Sequence, residues 1–163
     1  MQSTHSDPAF WSKRLGVQQS PNFVKALAEA MAFFRGGLPD MSDASLESHL
    51  RPIDFSWPEC RVVPLKMGER IYAYRYDPLG PIGMYFTRSG YAARDLGIDP
   101  EGRTRSTYTL LTNSDALWCR TRSIVTSWDP RQPGYLAVGG AMQLIVLHAR
   151  KKVQLEMAMQ RPR

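Results

Sequence analysis

Cysteine and histidine are scarce in this sequence, with two and three residues among 163. Cys60 and Cys119 stand far apart and neither has a Cys-x-x-Cys neighbour, so no disulfide framework is written here. Both thiols are expected to be unpaired and structural, as free cysteines usually are. His5, His49 and His148 are scattered, without a His-x-x-x-His or His-Cys grouping, which argues against a protein-built zinc site. No apolar run approaches the ~18–20 residues of a membrane span, so membrane insertion is not expected. The opening residues, Met1 to Pro8, lack the basic-then-apolar order of a signal peptide. There is no Gly-x-Gly-x-x-Gly and no Walker-type glycine loop, so phosphates are not held in either of those ways. Lys and Arg form no cluster belonging to a nucleic-acid module, and nucleic acid is not expected as a partner.

What is present fits one globular domain. A chain of 163 residues with 43% hydrophobic and 22% charged residues can bury a sizeable core without staples. The formal net charge is +6, and arginine dominates the basic residues, spread through strand-like segments. Arginine offers a planar, bidentate grip on phosphate, so a phosphate-bearing small ligand is the partner this balance suits.

Along the chain, residues 1–19 show no clear period and are expected to form an irregular arm. Ser20-Pro21 opens a helix, with serine as N-cap and proline at the first position, and Gly36-Gly37 closes it. Phe23, Val24, Leu27, Met31 and Phe34 are expected on one face of it. A second short helix is predicted from near Ser42 to before Pro52. After Trp57-Pro58 the period changes to two. Strands are predicted over Arg70–Tyr76, Gly83–Thr87, Ser106–Thr112, Leu117–Thr126 and Met142–Leu147, with a short helix over Ser89–Leu96. Lys151–Met159 reads as an edge strand or a last helix. Helices first and strands afterwards mean α+β rather than alternating βαβ. A helical subregion over 1–60 and a β-rich core over 61–163 are expected within one structural domain.

Candidate chemistry begins at Arg75, a charge in mid-strand on the face that carries Ile71 and Ala73. Such a charge must be paired, exposed at a sheet end, or waiting for an anion. A Pro/Gly-rich turn follows, and then Gly83-Met84-Tyr85-Phe86, where a glycine before two aromatics lets backbone approach a ligand while a ring offers a stacking surface. Arg94 follows in Ala-Ala-Arg-Asp-Leu-Gly-Ile. Downstream stand Trp128, then Gln132-Pro133-Gly134, and then Gly139-Gly140 leading to Gln143.

In order and spacing these residues resemble the NAD glycohydrolase toxins of the tuberculosis necrotizing toxin type, over about half the chain. The family has an arginine on its first core strand, a Gly-x-aromatic step, a second arginine, a tryptophan near Gln-Pro-Gly, and a Gly-Gly segment leading to a functional glutamine. Here Tyr135 to Val138 separate Pro-Gly from Gly-Gly, a longer spacing than the family's. The resemblance implies an ADP-ribosyltransferase-like fold with a split antiparallel β core and N-terminal helices. It implies hydrolysis of NAD or NADP, as substrate and not as cofactor, to nicotinamide and ADP-ribose without a metal. Gln143 and Arg75 would be catalytic, with Arg94, Tyr85, Phe86, Gly83 and Trp128 binding substrate. It further implies a cognate immunity protein, delivery by a specialised system such as type VI secretion, and action in the cytoplasm of a target cell.

Two other readings remain open at this level. Ser106-Thr107-Tyr108 and Gln154-Leu155-Glu156 partly match the Ser-Thr-Ser strand and Gln-x-Glu loop of mono-ADP-ribosyltransferases that modify macromolecules. A nonenzymatic binding or immunity-type module would also be rich in arginine and aromatic residues.

Overall fold

The helical part begins earlier than its periodicity predicts. A computed structural model describes residues 6–98, 100–122 and 139–156. Within the expected irregular arm, α1 (Pro8–Leu15) is a two-turn helix. Asp7 caps it by accepting from the Ala9 N–H at 2.9 Å, and Gly16 closes it at φ 63°. The signals are those that mark α2 (Pro21–Gly37): a small polar N-cap, then proline, then a terminal glycine. An eight-residue helix with only Trp11 and Leu15 fully inward simply shows too little period to be read. Ser20 caps α2 through the Phe23 N–H at 3.1 Å; its buried stripe adds Ala26 and Ala30 to Phe23, Leu27, Met31 and Phe34, whereas Val24, expected on it, is exposed. Ser42 likewise caps α3 (Asp43–Leu50), which buries Leu46 and Leu50.

Among the described residues seven short strands follow: β1 (Arg61–Leu65), β2 (Arg70–Arg75), β3 (Tyr85–Phe86), β4 (Thr104–Leu110), β5 (Ser114–Arg120), β6 (Met142–Ile145) and β7 (Val153–Leu155). They form two antiparallel sheets, one ordered β1-β5-β6-β3 and the other β2-β4-β7. The α+β class therefore holds. The four-stranded sheet is the middle layer. Leu117, Cys119 and Ile145 join Trp11, Phe23, Leu27 and Phe34 in a core on its helical side. Val63, Leu65, Phe86, Ala116 and Leu144 meet Ile71, Tyr108, Leu110 and Val153 of the second sheet on the other. A strand buried on both faces loses polar alternation, which is why β6 reads as apolar apart from Gln143.

Several predicted elements are shorter than expected or displaced. β1, whose apolar positions are interrupted by Pro64, was not marked by the pattern at all. The helix expected over Ser89–Leu96 is only a 3-10 turn at Ala93–Leu96, which starts after Ala92, without a side-chain cap, and is closed at once by Gly97. Lys151–Met159 resolves to the edge strand β7 as far as it is described. Among the described residues the two sheets are joined in backbone pairing by the bridge of Tyr72 to Thr87, whose reciprocal N–H···O bonds are 2.9 and 2.8 Å. Past that bridge the end of β2 and the start of β3 pair no further, and a gap opens between the sheets.

Candidate active site

That gap is a cleft of about 500 Å³. Tyr74, Arg75 and Tyr76 line it from the end of β2, and Tyr85 and Gln143 line it from the middle sheet. Arg75, Gly83, Tyr85 and Gln143, separated by up to 68 positions of sequence, share this one cavity. Arg75 is half-buried at the strand end and has no carboxylate partner among the described residues. Its Nη2 donates to the Gly80 carbonyl at 3.4 Å, and its guanidinium carbon lies 6.0 Å from the Tyr108 ring centroid. Of the three fates open to a strand charge, this arginine is at a sheet end facing a cavity.

Gln143 is 5% exposed. Its Nε2 donates to Cys119 Sγ at 3.6 Å, and its amide oxygen has no hydrogen bond among the described residues. Gly139 and Gly140 lead into β6 with φ of 64° and 91°, left-handed conformations that strain any residue with a Cβ. Tyr85 pairs with Ile145 across the β3–β6 ladder, which puts it diagonally beside Gln143 on the same face. At Gly83 a Cβ would meet nothing within 4 Å, so the space beside it is cleft and not packed protein.

Two anticipated residues lie off the cleft. Phe86 alternates to the opposite face from Tyr85 and is buried, edge-to-face on Tyr108 with centroids 5.6 Å apart. It is a core residue, whereas Tyr85 lines the cleft. Arg94 sits exposed on the 3-10 turn and does not line the cavity; what its segment supplies is the backbone wall at Leu96, Gly97 and Ile98. Trp128, with Asp129 and Gln132-Pro133-Gly134, lies outside the described residues.

The structure instead adds Arg103 and Arg122. Arg103 precedes β4, whose first residue, Thr104, is opposite Arg75, and its guanidinium stacks 4.3 Å from the Tyr76 ring centroid. Arg122 follows β5 and donates from Nη1 to the Leu15 carbonyl at 3.0 Å, close to the end of α1. Burial, and then the like charge of Arg51, push its guanidinium below the ordinary arginine value, with Asp54 opposing. Neither residue had a sequence signal, because β2 and β4 are joined by a 28-residue connection and not by a hairpin whose register could be read. Asp77 is the acidic side chain among the lining residues, so three arginines set the sign of the cleft.

The Gln-x-Glu tripeptide is elsewhere. Glu156 pairs with Arg70 at 2.8 Å, and Arg70 begins the strand that Arg75 ends, roughly 17 Å away at ~3.4 Å per residue. Gln154 is exposed on β7, and Ser106 and Tyr108 are buried in the second sheet.

The cleft can hold an anion through guanidinium groups, present an aromatic face, and offer one positioned amide. Histidine is not among its lining residues, and an amide is no general base. Its chemistry is positional and electrostatic. No protein-family model and no curated protein matches this chain. Among solved structures, a chain in the structure of Tse6 in complex with Tsi6 is similar, at 23% identity and a TM-score of 0.68. The match covers 86% of this chain and 100% of that one. The likeness shows a shared fold.

Proposed function

We propose that this chain is a toxin domain that hydrolyses NAD⁺ or NADP⁺ to nicotinamide and ADP-ribose. One observation carries the reading: Arg75 from one sheet and Gln143 from the other converge on a single positively lined cleft. The split pair of antiparallel sheets is read as an ADP-ribosyltransferase-like frame, with the dinucleotide held in the split.

The chemistry asks little of acid or base. Nicotinamide leaves with the electron pair of the bond to ribose, the anomeric carbon passes through an oxocarbenium-like state, and water oxygen bonds to that carbon as its proton goes to solvent. Arg75 and Arg103 grip the diphosphate, each charge-assisted bond being worth roughly 1.5–3 kcal/mol. Tyr85 stacks on the nicotinamide or ribose. Gln143 turns its unpartnered oxygen toward the ribose, where positive charge develops. No metal takes part in this scheme.

Fold likeness to a chain from a two-protein complex supports the toxin reading, since Tse6 was solved with Tsi6. By that analogy an immunity protein would cap the basic cleft, and the toxin would reach the cytoplasm of a competing cell by specialised secretion. The macromolecular transferase is the weaker reading, because Glu156 is tied to Arg70 away from the cleft. A nonenzymatic module would leave NAD intact.

Nicotinamide release from NAD⁺ and NADP⁺ tests the proposal. The wild-type chain should release it with free ADP-ribose as co-product, whether or not protein acceptors are added. Arg75→Ala should lower kcat/KM by about 10–100-fold, and Gln143→Ala should abolish turnover while leaving Tm within a few degrees. A folded wild-type chain that leaves both dinucleotides intact ends the proposal.

A further inference from the structure

Cys60, Cys119 and Gln143 stand in one row, Cys60 just before β1, Cys119 on β5 and Gln143 on β6. The β1–β5 register places Arg61 opposite Trp118, so the preceding residue, Cys60, comes level with Cys119. The β5–β6 register places Cys119 opposite Gln143. Cys60 and Cys119 belong to the helix-facing core, at 3% and 0% exposure, and both are free thiols. Gln143 ends the row at the cleft wall.

An amide side chain has two ends of nearly equal size, so packing alone hardly distinguishes oxygen from NH₂. Chemistry must decide which end faces the cavity. Here the neighbour is sulfur. Burial, and then a hydrogen bond with Cys60, push the Cys119 thiol well above its ordinary range, so it stays protonated. The Cys119 sulfur accepts from Gln143 Nε2 at 3.6 Å, which turns the NH₂ end of the amide toward the thiol and leaves its oxygen for the cleft.

We propose that the Cys60–Cys119 thiol pair is a positioning element that fixes the polarity of the Gln143 amide, oxygen toward the cleft. The inference rests on the NAD-cleaving reading for its consequence and on geometry for its substance. An amide oxygen aimed at the anomeric carbon stabilises the positive charge that develops there. A reversed amide would aim N–H dipoles at that charge and oppose it. Ground-state ribose hydroxyls can both donate and accept, so reversal disturbs the transition state more than substrate binding.

Cys119→Ala and Cys119→Ser form the deciding pair. The two side chains are close in volume and leave similar voids, but only serine restores an acceptor. Both should lower Tm by similar amounts. Cys119→Ala should lower kcat about tenfold with KM within about twofold, the worth of one buried hydrogen bond. Cys119→Ser should keep kcat within about threefold of wild type, since its hydroxyl accepts as sulfur does. Equal kcat in the two variants, or a loss confined to KM, overturns the proposal. The Gln143 side-chain NH₂ signals, assigned by NMR with Gln143→Glu, give a second readout independent of turnover. They should exchange slowly with solvent in wild type and Cys119→Ser, and quickly in Cys119→Ala. Absence of nicotinamide release in wild type would remove the catalytic reading alone; NH₂ signals indifferent to Cys119→Ala would remove the positioning role.

Discussion

At the residue scale, arginines of similar sequence setting have very different surroundings. Arg94 and Arg103 both sit in turns before or between strands, but only Arg103 faces the cavity. Arg103→Ala is expected to raise KM for the dinucleotide by about tenfold or more, as losing a charge-assisted phosphate contact would. Arg94→Ala should leave KM within about twofold, surface substitutions being close to neutral. Steady-state kinetics on the two variants side by side checks the assignment, and the opposite ranking would move the diphosphate to the Arg94 side. Tyr108 makes a second case. Its hydroxyl is buried with no hydrogen-bond partner among the described residues, beneath Arg75 and against Phe86. Tyr108→Phe removes that burden and should raise stability by about 1 kcal/mol or more in urea unfolding. Destabilisation on this substitution would mean that the hydroxyl has a bonded partner.

At the element scale, β2 separates structure from function along six residues. Arg70, at one end, is tied to Glu156 in an exposed pair, and such pairs contribute only ~0–1 kcal/mol. Arg75, at the other end, faces the cleft. Glu156→Ala should therefore change stability by less than about 1 kcal/mol and leave nicotinamide release intact. A variant that lost NAD consumption while remaining folded would restore the transferase reading. The N-caps behave as scaffolding: Ser20→Ala removes the acceptor for the Phe23 N–H and should cost about 1 kcal/mol without altering KM.

At the scale of the whole molecule, three layers stack helices, middle sheet and second sheet, and the thiol pair lies in the helix-side core. The folded Cys119 value is raised above the ordinary thiol value of 9.0. A thiol that is neutral in the fold and ionises more readily in the unfolded chain stabilises fully below the unfolded value, and that contribution is lost as pH rises toward the folded one. Urea unfolding of wild type and Cys119→Ala from neutral pH to about pH 10.5 should show the wild-type advantage shrinking at the alkaline end. Other titrating groups are common to both proteins, so a gap constant with pH would mean that the thiol is not ionising between the states.

Local rules settled much of this protein. Caps, proline and apolar spacing located α2 and α3; alternation located β2 and the sidedness of Arg75; and the order of helices before strands set the α+β class. These are properties of neighbouring residues, which interact whatever the rest of the chain does. Arg103 and Arg122 entered the cleft only through the split between the sheets, across connections whose length hides register. Phe86 and Tyr85 were indistinguishable as adjacent aromatics until the Tyr72–Thr87 bridge fixed which face met the second sheet. The proximity of Cys60 to Cys119, 59 positions apart, came from strand pairing alone. Sequence specifies what each residue can do within a few bonds of itself, whereas convergence of distant groups is decided by how buried faces pack.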